Sequence, residues 1–332
     1  MTSLGRFFLA SIIGCALSLS APLHVAAAGP AEPVLALTPR ALSATAWYFE
    51  GESAMASRGN RGFTSNAGFV VTPEGVVVFD ALGTPALAEA MLGAIRKITP
   101  QPIRLVILSH YHADHCYGLQ VFKAAGAAIW ARSEGRQYLA SDLSRERLAQ
   151  RRRDLSPWVN DQTQLVPADR WLEFPTAQSI PFELGGTHFE LISGGNSHAP
   201  GDLMLFIPDQ GLLFAGDLFF SGRLPFVVDG NTREWLAALA RIERSAPRIV
   251  VPGHGTASLQ VAQDLKVTRA YLKFLRAQLG MAVENLRSFD EAYAAIDWSA
   301  FAGLPTFDVA SRRNAYSVYL EMQAEMLGGA QH

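Results

Sequence analysis

The chain has 332 residues, 49% hydrophobic and 17% charged, which is enough apolar material for one large core or two ordinary ones. Lys and Arg number 28 against 30 Asp and Glu, a net charge of −2, which excludes a protein held on nucleic acid by bulk charge and a highly charged disordered chain. With only Cys15 and Cys116, a disulfide framework and a Cys-rich zinc finger are excluded as well.

Residues 1–28 carry one charge, Arg6, then an apolar stretch from Phe7, then Ala26, Ala27 and Ala28. This three-part pattern predicts a secretory signal peptide cleaved before Gly29, and hence a periplasmic or secreted protein. A lipid anchor on Cys15, after Ile12-Ile13-Gly14, is the alternative. Beyond the leader, residues 44–49 read as a strand and residues 50–65, rich in Gly, Ser and Asn, as a loop. Residues 67–71 and 75–79 flank Thr72-Pro73-Glu74 as a hairpin. Leu87, Met91, Leu92, Ile95 and Ile98 recur at helical spacing over residues 84–98, and the apolar run 104–109 is a strand. A helix at 118–124, a strand at 127–131 and one polar helix over 134–154 follow. Strands are expected at 180–183, 188–192, 203–207, 211–214 and 249–251, and helices at 235–244, 261–279 and 308–326. The alternation predicts an α/β protein of two packed sheets with helices outside.

The histidines are concentrated where strands end. Ser109-His110-Tyr111-His112-Ala113-Asp114-His115 directly follows the apolar strand and offers four metal-type ligands within six residues. A mononuclear catalytic zinc site needs about three protein ligands, so this motif points to two metals. Three further candidates sit in glycine-rich surroundings: His198 in Gly195-Asn196-Ser197-His198-Ala199-Pro200-Gly201-Asp202, Asp217 after Ala215-Gly216, and His254 in Pro252-Gly253-His254-Gly255. Of the remaining histidines, His188 alternates with apolar residues as an outward-facing strand position, His24 lies in the leader and His332 is terminal. Cys116 reads as a small buried apolar side chain, the usual state of a free cysteine.

HxHxDH, GxxHxxGD, AGD and PGHG, in this order over residues 44–255, resemble the metallo-β-lactamase superfamily. The resemblance implies a four-layer αββα sandwich as a catalytic domain over residues 34–330, with 256–330 mainly helical. It implies two Zn2+ ions (iron or manganese as alternatives), one on His110, His112 and His198, the other on Asp114, His115 and His254, with Asp217 bridging. Asp80, ending Val76-Val77-Val78-Phe79-Asp80, matches a supporting aspartate of the family, and Asp202 reads equally as a support or a turn residue. The implied activity is metal-dependent hydrolysis of a small ester, thioester, lactone or lactam by a metal-bridging hydroxide, with Asp114 handling the proton. Asp at 217, where some zinc β-lactamases place Cys, and His115 give a ligand set similar to glyoxalase II. The leader and the HYHADHCYG wording are similar to exported zinc hydrolases associated with periplasmic quinoprotein oxidation systems. An iron-dependent oxidoreductase on the same fold and an accessory protein of such a quinoprotein system are the competing readings. The partner expected is a small-molecule substrate, not nucleic acid.

Specificity is expected from three segments: loop 50–65 with Arg58 and Arg61, the stretch 219–231 with Phe219, Phe220, Arg223 and Phe226, and the insert 133–154. The insert's Arg136, Arg145, Arg147, Arg151, Arg152 and Arg153 are read as a solvated face paired with Glu134, Asp142, Glu146 and Asp154, with attraction of an anionic substrate as the alternative.

Overall fold

A computed structural model describes residues 35–174 and 179–329; the predicted leader, Cys15, His24 and His332 lie outside them. The first sheet has seven strands adjacent in chain order. They are β1 (Arg40–Ala41), β2 (Ala46–Phe49), β3 (Ala67–Thr72), β4 (Gly75–Phe79), β5 (Ile103–Ile107), β6 (Ala128–Arg132) and β7 (Arg170–Leu172). The second has five strands: β8 (Ser179–Leu184), β9 (Thr187–Gly195), β10 (Asp202–Ile207), β11 (Leu212–Phe220) and β12 (Ile249–His254), in spatial order β12-β11-β10-β9-β8. The helices are α1 (Pro85–Ile98), α2 (Ala113–Cys116), α3 (Leu119–Ala124), α4 (Gly135–Ala140), α5 (Asp142–Asp154), α6 (Thr232–Arg244), α7 (Val261–Glu284), α8 (Phe289–Ala295) and α9 (Phe307–Gly329).

Two-residue periodicity explains why the sheets stack. In β4, Val76 and Val78 join the core under α1 and α3, whereas Val77 and Phe79 point to the other sheet. In β10, Leu203, Leu205 and Ile207 face the first sheet, while Met204 and Phe206 pack beneath α6, α7 and α9. Both faces of the central strands are therefore buried, and they read as continuous apolar runs. Phe79 and Phe214 stack across the interior, ring centroids 5.5 Å apart. The result is helix, sheet, sheet, helix, as expected.

Local chemistry sets the boundaries. Thr84 caps α1 by accepting from Leu87 N, with Pro85 at the first helical position. The helix expected over 134–154 is two, α4 and α5. Ser141, in extended backbone, accepts from Ser144 N and starts the second. A polar stretch with no apolar stripe gives the periodicity argument no means of locating that break. β1, β7, α2 and α8 were too short or too irregular in pattern to be predicted. Among the described residues, no helix is long and apolar enough to cross a membrane.

The sheets are tied together at one edge. Asn66, before β3, donates from Nδ2 to Pro252 O and Gly255 O, and its N–H bonds Gly253 O. Leu203 N bonds Ser109 O. At that edge the ends of β5 and β12 converge, and there the histidine motifs lie.

Candidate metal centre

His110, His112, Asp114 and His115 leave β5 on a turn running into α2. His198 sits between β9 and β10, Asp217 within β11, and His254 at the end of β12. The fold brings these seven residues together from positions up to 144 apart, in two groups. His110, His112, His198 and Asp217 form one, Asp114, His115 and His254 the other, and within each the ligand atoms lie within 4.8 Å of one another. Asp217 touches both groups. Its Oδ2 is 3.2 Å from His198 Nε2 and 3.3 Å from His254 Nε2, and its Oδ1 is 3.1 Å from His115 Nε2. Asp114 Oδ2 is 3.3 Å from His254 Nε2.

Each imidazole is oriented by an acceptor on its outer nitrogen. His254 Nδ1 donates to Thr64 O at 2.6 Å, His198 Nδ1 to Phe226 O at 3.0 Å, and His115 Nδ1 to Asp80 Oδ2 at 2.8 Å. His112 Nε2 donates to Asp229 Oδ2 at 2.8 Å. Ser109 Oγ, which donates to Asp80 Oδ2, accepts from His110 Nδ1 at 3.0 Å. With these nitrogens protonated, the inner ones carry lone pairs. That is the donor chemistry of a divalent cation. His110 Nε2, His115 Nε2 and Asp217 Oδ1 are buried without hydrogen-bond partners, a costly arrangement for a protein alone that a bound cation resolves. The residues therefore fit the metal ions implied by the sequence.

Electrostatics divide the imidazoles: burial acts to lower His115 and His254, but the facing carboxylates, Asp217 first, outweigh it and raise both, so a cation bound there would displace their protons. Burial pushes His110 well below the usual histidine range, and His115 and His112 beside it push the same way. Burial works against ionisation of Asp217, but His254, His115 and His198 outweigh it and hold the carboxyl well down. Space is equally constrained: a Cβ on Gly253 would lie 1.9 Å from Asp217 Oδ1, so the PGHG motif admits no side chain there.

Supporting residues follow the expectation at Asp80 and decide the case of Asp202. Asp80 accepts from Ser109 N at 2.7 Å and from His115, in the left-handed backbone (φ 63°) that Asp tolerates. Asp202 is buried and accepts from His198 N at 2.6 Å and Ala199 N at 3.0 Å, so it shapes the His198 loop. Burial pushes its carboxyl up to about 8. Cys116 is buried, its thiol donating weakly to Tyr111 O, and burial pushes its pKa well up. His188 faces outward.

Asp229 was not singled out from sequence. It accepts from His112 Nε2 and from Arg147 Nη2 at 2.6 Å. Burial raises its pKa, but the hydrogen bond from His112 and the charges around it hold the carboxyl well below the usual range. A lone Asp in a loop, 117 residues from its histidine, carries no pattern by which to find it. Asp229→Ala is expected to weaken metal binding about 10- to 100-fold, because His112 loses its orienting acceptor. Competition against a fluorescent chelator measures this, and an unchanged affinity would show that Asp229 does not hold His112.

The insert arginines correct the expectation of a wholly solvated face. Arg145 pairs with Asp142 as expected. Arg147, Gln150, Arg151 and Asp154, at helical spacing on α5, instead line a pocket of about 490 Å³ over the donors. Phe226 and Arg223 line it too, but Phe219 belongs to the core beneath the C-terminal helices, and Phe220 stacks on His254 at 5.2 Å. Ala54, Met55 and Ala56 of loop 50–65 reach the pocket. Arg58 and Arg61 do not line it: Arg58 donates to Arg153 O, and Arg61 lies over the Trp158 ring, fastening the loop from behind.

Two stacked sheets flanked by helices, with a two-part His/Asp donor cluster at one edge, define a metal-binding αββα protein. Residues 60–254 match the Metallo-beta-lactamase superfamily, and the chain belongs to it. Metallo-beta-lactamase IND-1 of Chryseobacterium indologenes is 20% identical over 201 residues, covering 59% of this chain and 74% of its own. The 2,4-dinitroanisole O-demethylase subunit alpha of Nocardioides sp. (strain JS1661) is 26% identical over 182 residues, 54% of this chain and 49% of its own. Among solved structures, the inverting sec-alkylsulfatase Pisa1 from Pseudomonas sp. superposes with a TM-score of 0.65 at 18% identity, covering 86% of this chain and 50% of that one. The chain thus spans most of the first protein but about half of the other two.

Proposed function

We propose that the protein is an exported dinuclear zinc hydrolase acting on a small ester, thioester, lactone or lactam. The observation that carries this reading is the set of five imidazoles, each with its outer nitrogen hydrogen-bonded, of which His115, His198 and His254 turn the inner nitrogen to Asp217 and His112 turns its own to His198 Nε2, 2.9 Å away, beneath one open pocket. When bound, the divalent ions supply Lewis acidity and lower the pKa of water toward neutrality.

The chain's own residues do the rest. Asp217, 4% exposed, is fixed among three histidines and is not free to exchange protons with substrate. Asp114 is 27% exposed and faces the pocket, so its carboxylate receives the attacking water's proton and returns it to the leaving group. Ser65 Oγ donates to Asp114 O and steadies that turn. Phe226, Leu155 and Met55 give the pocket apolar walls that exclude water from the reacting bond. The signal-peptide pattern supports export, and the HYHADHCYG wording together with it supports a place in a periplasmic oxidation system of the quinoprotein kind.

Metal removal tests the reading. Chelation is expected to reduce turnover on a panel of esters, thioesters, lactones and β-lactams to background, and zinc to restore it. Each site filled at about 100 times its Kd should add ~2.7 kcal/mol of stability, visible as a higher Tm. Two zinc ions per chain by elemental analysis are expected. Bound iron with oxygen consumption and no hydrolysis would replace this reading with the oxidoreductase one.

A further inference from the structure

Single exposed apolar side chains, such as Ile98 and Leu143, need no explanation. On α9 they are periodic. Val309, Tyr316, Leu320 and Leu327 are 47%, 49%, 45% and 65% exposed. With Arg313 and Gln323 they recur at alternating steps of four and three residues, the spacing of a coiled-coil seam. This is not the face by which α9 packs on its own chain. Ala310, Asn314, Ala315, Val318 and Met322 are buried on the other side. Asn314 fixes the helix in rotation: its Nδ2 donates to Pro225 O at 2.7 Å, and its Oδ1 accepts from Val227 N at 2.8 Å. Arg312 is held by Asp290 of α8. The seam therefore cannot turn inward, and among the described residues nothing covers it.

The seam is its own complement. Val309 lies nine residues before position 318 and Leu327 nine after it. Arg313 and Gln323 lie five before and five after, Tyr316 and Leu320 two before and two after. A second α9 running antiparallel across the first, with the two-fold axis at residue 318, sets Val309 on the partner's Leu327 and Tyr316 on the partner's Leu320. Arg313 then meets the partner's Gln323, whose amide oxygen accepts from a guanidinium. A contact between identical surfaces requires such self-complementarity, and a polar seam position fixes the register. Parallel pairing would instead set Arg313 against a second Arg313. From Val309 to Leu327 the seam is ~27 Å long and one helix, ~10 Å, wide, so two copies bury on the order of 1,000 Å² in total, the lower bound of specific interfaces.

We propose that the chain forms a two-fold dimer through α9, an antiparallel helix pair centred on Val318. The contact is independent of the reaction catalysed, but it borders the candidate metal centre. Arg313, exposed on the seam, also lines the pocket over the donors, so the C-terminal half of the partner's α9 stands beside each pocket. Two copies thus shape each entrance.

Sedimentation equilibrium of the full chain from about 1 to 100 µM tests the proposal, with a dimer dissociating in the micromolar range expected from so small an interface. Leu320→Glu, an exposed change, is expected to weaken the dimer at least about tenfold with Tm unchanged, because it buries a charge against the partner's Tyr316. Crosslinking reads the register in a Cys15→Ser background, where the other cysteine, Cys116, is buried. On mild oxidation V309C/L327C is expected to give covalent dimers, and Leu327→Cys alone to give none. A chain that stays monomeric at 100 µM overturns the proposal. So does a dimer as tight in Leu320→Glu as in the native chain, since its contact then lies elsewhere. Crosslinking of Leu327→Cys alone, or none in V309C/L327C, overturns the antiparallel pairing.

Discussion

Asp217→Ala is expected to remove measurable turnover and to lower bound metal below two ions per chain. Asp217 is the residue in contact with both donor groups, its two oxygens lying 3.1–3.3 Å from His115, His198 and His254. Were both donor groups filled, Asp217 would be the anionic ligand within reach of each cation, and its loss also takes from three imidazoles the charge that faces them. If the metals lower the barrier by several kcal/mol, their loss costs on the order of 10³-fold or more in kcat. Asp217→Asn serves as the control for shape, since it keeps the volume between the imidazoles and removes the charge. Elemental analysis and kcat on the best panel substrate read both variants. Full metal content with unimpaired turnover in Asp217→Ala would remove Asp217 from the site and, with it, the two-metal assignment.

The parts of this site that were legible in sequence share one property: the chemistry lies within a few residues of an apolar strand. HxHxDH after β5, AGD within β11 and PGHG at the end of β12 each combine a ligand with a strand that fixes it and glycines that let backbones approach, so a linear pattern carries most of the geometry. The four-layer fold was legible for the same reason, because doubly buried strands such as β4 (Gly75–Phe79) are continuous apolar runs. The pocket wall was not legible. Arg147, Arg151 and Arg153 lie within one polar helix, and local spacing alone pairs them equally with solvent or with nearby acids. Only the packing of α5 over the donors separates Arg147, held by Asp229, and Arg151, facing the pocket, from the rest. Asp229 escaped notice for the converse reason: its meaning comes wholly from His112 and Arg147, both remote in the chain. The donor cluster was thus readable from motifs, while the pocket wall required the tertiary structure.

Asp80 offers a way to separate what holds the fold from what holds the metal. Its Oδ1 accepts from Ser109 N, and its Oδ2 accepts from both Ser109 Oγ and His115 Nδ1. Asp80→Ala leaves a backbone N–H, a hydroxyl and an imidazole N–H buried without acceptors, and puts Ala in left-handed backbone that Asp tolerates better. Removing one partner from such a buried network costs about 3–5 kcal/mol, so a fall in Tm of roughly 10 °C is expected by thermal melting in chelator. Asp80→Asn behaves differently. Its amide oxygen can still serve Ser109 N, but its NH₂ then occupies the place of Oδ2 and meets the donor on His115 Nδ1. The imidazole relieves the clash by moving its proton to Nε2, the nitrogen turned toward Asp217 and needed for the cation. Asp80→Asn is therefore expected to lose less stability than Asp80→Ala and yet to bind metal about 10- to 100-fold more weakly than the native chain. Chelator competition and melting on the same samples check both halves, and native metal affinity in Asp80→Asn would show that the His115 tautomer is not set by Asp80.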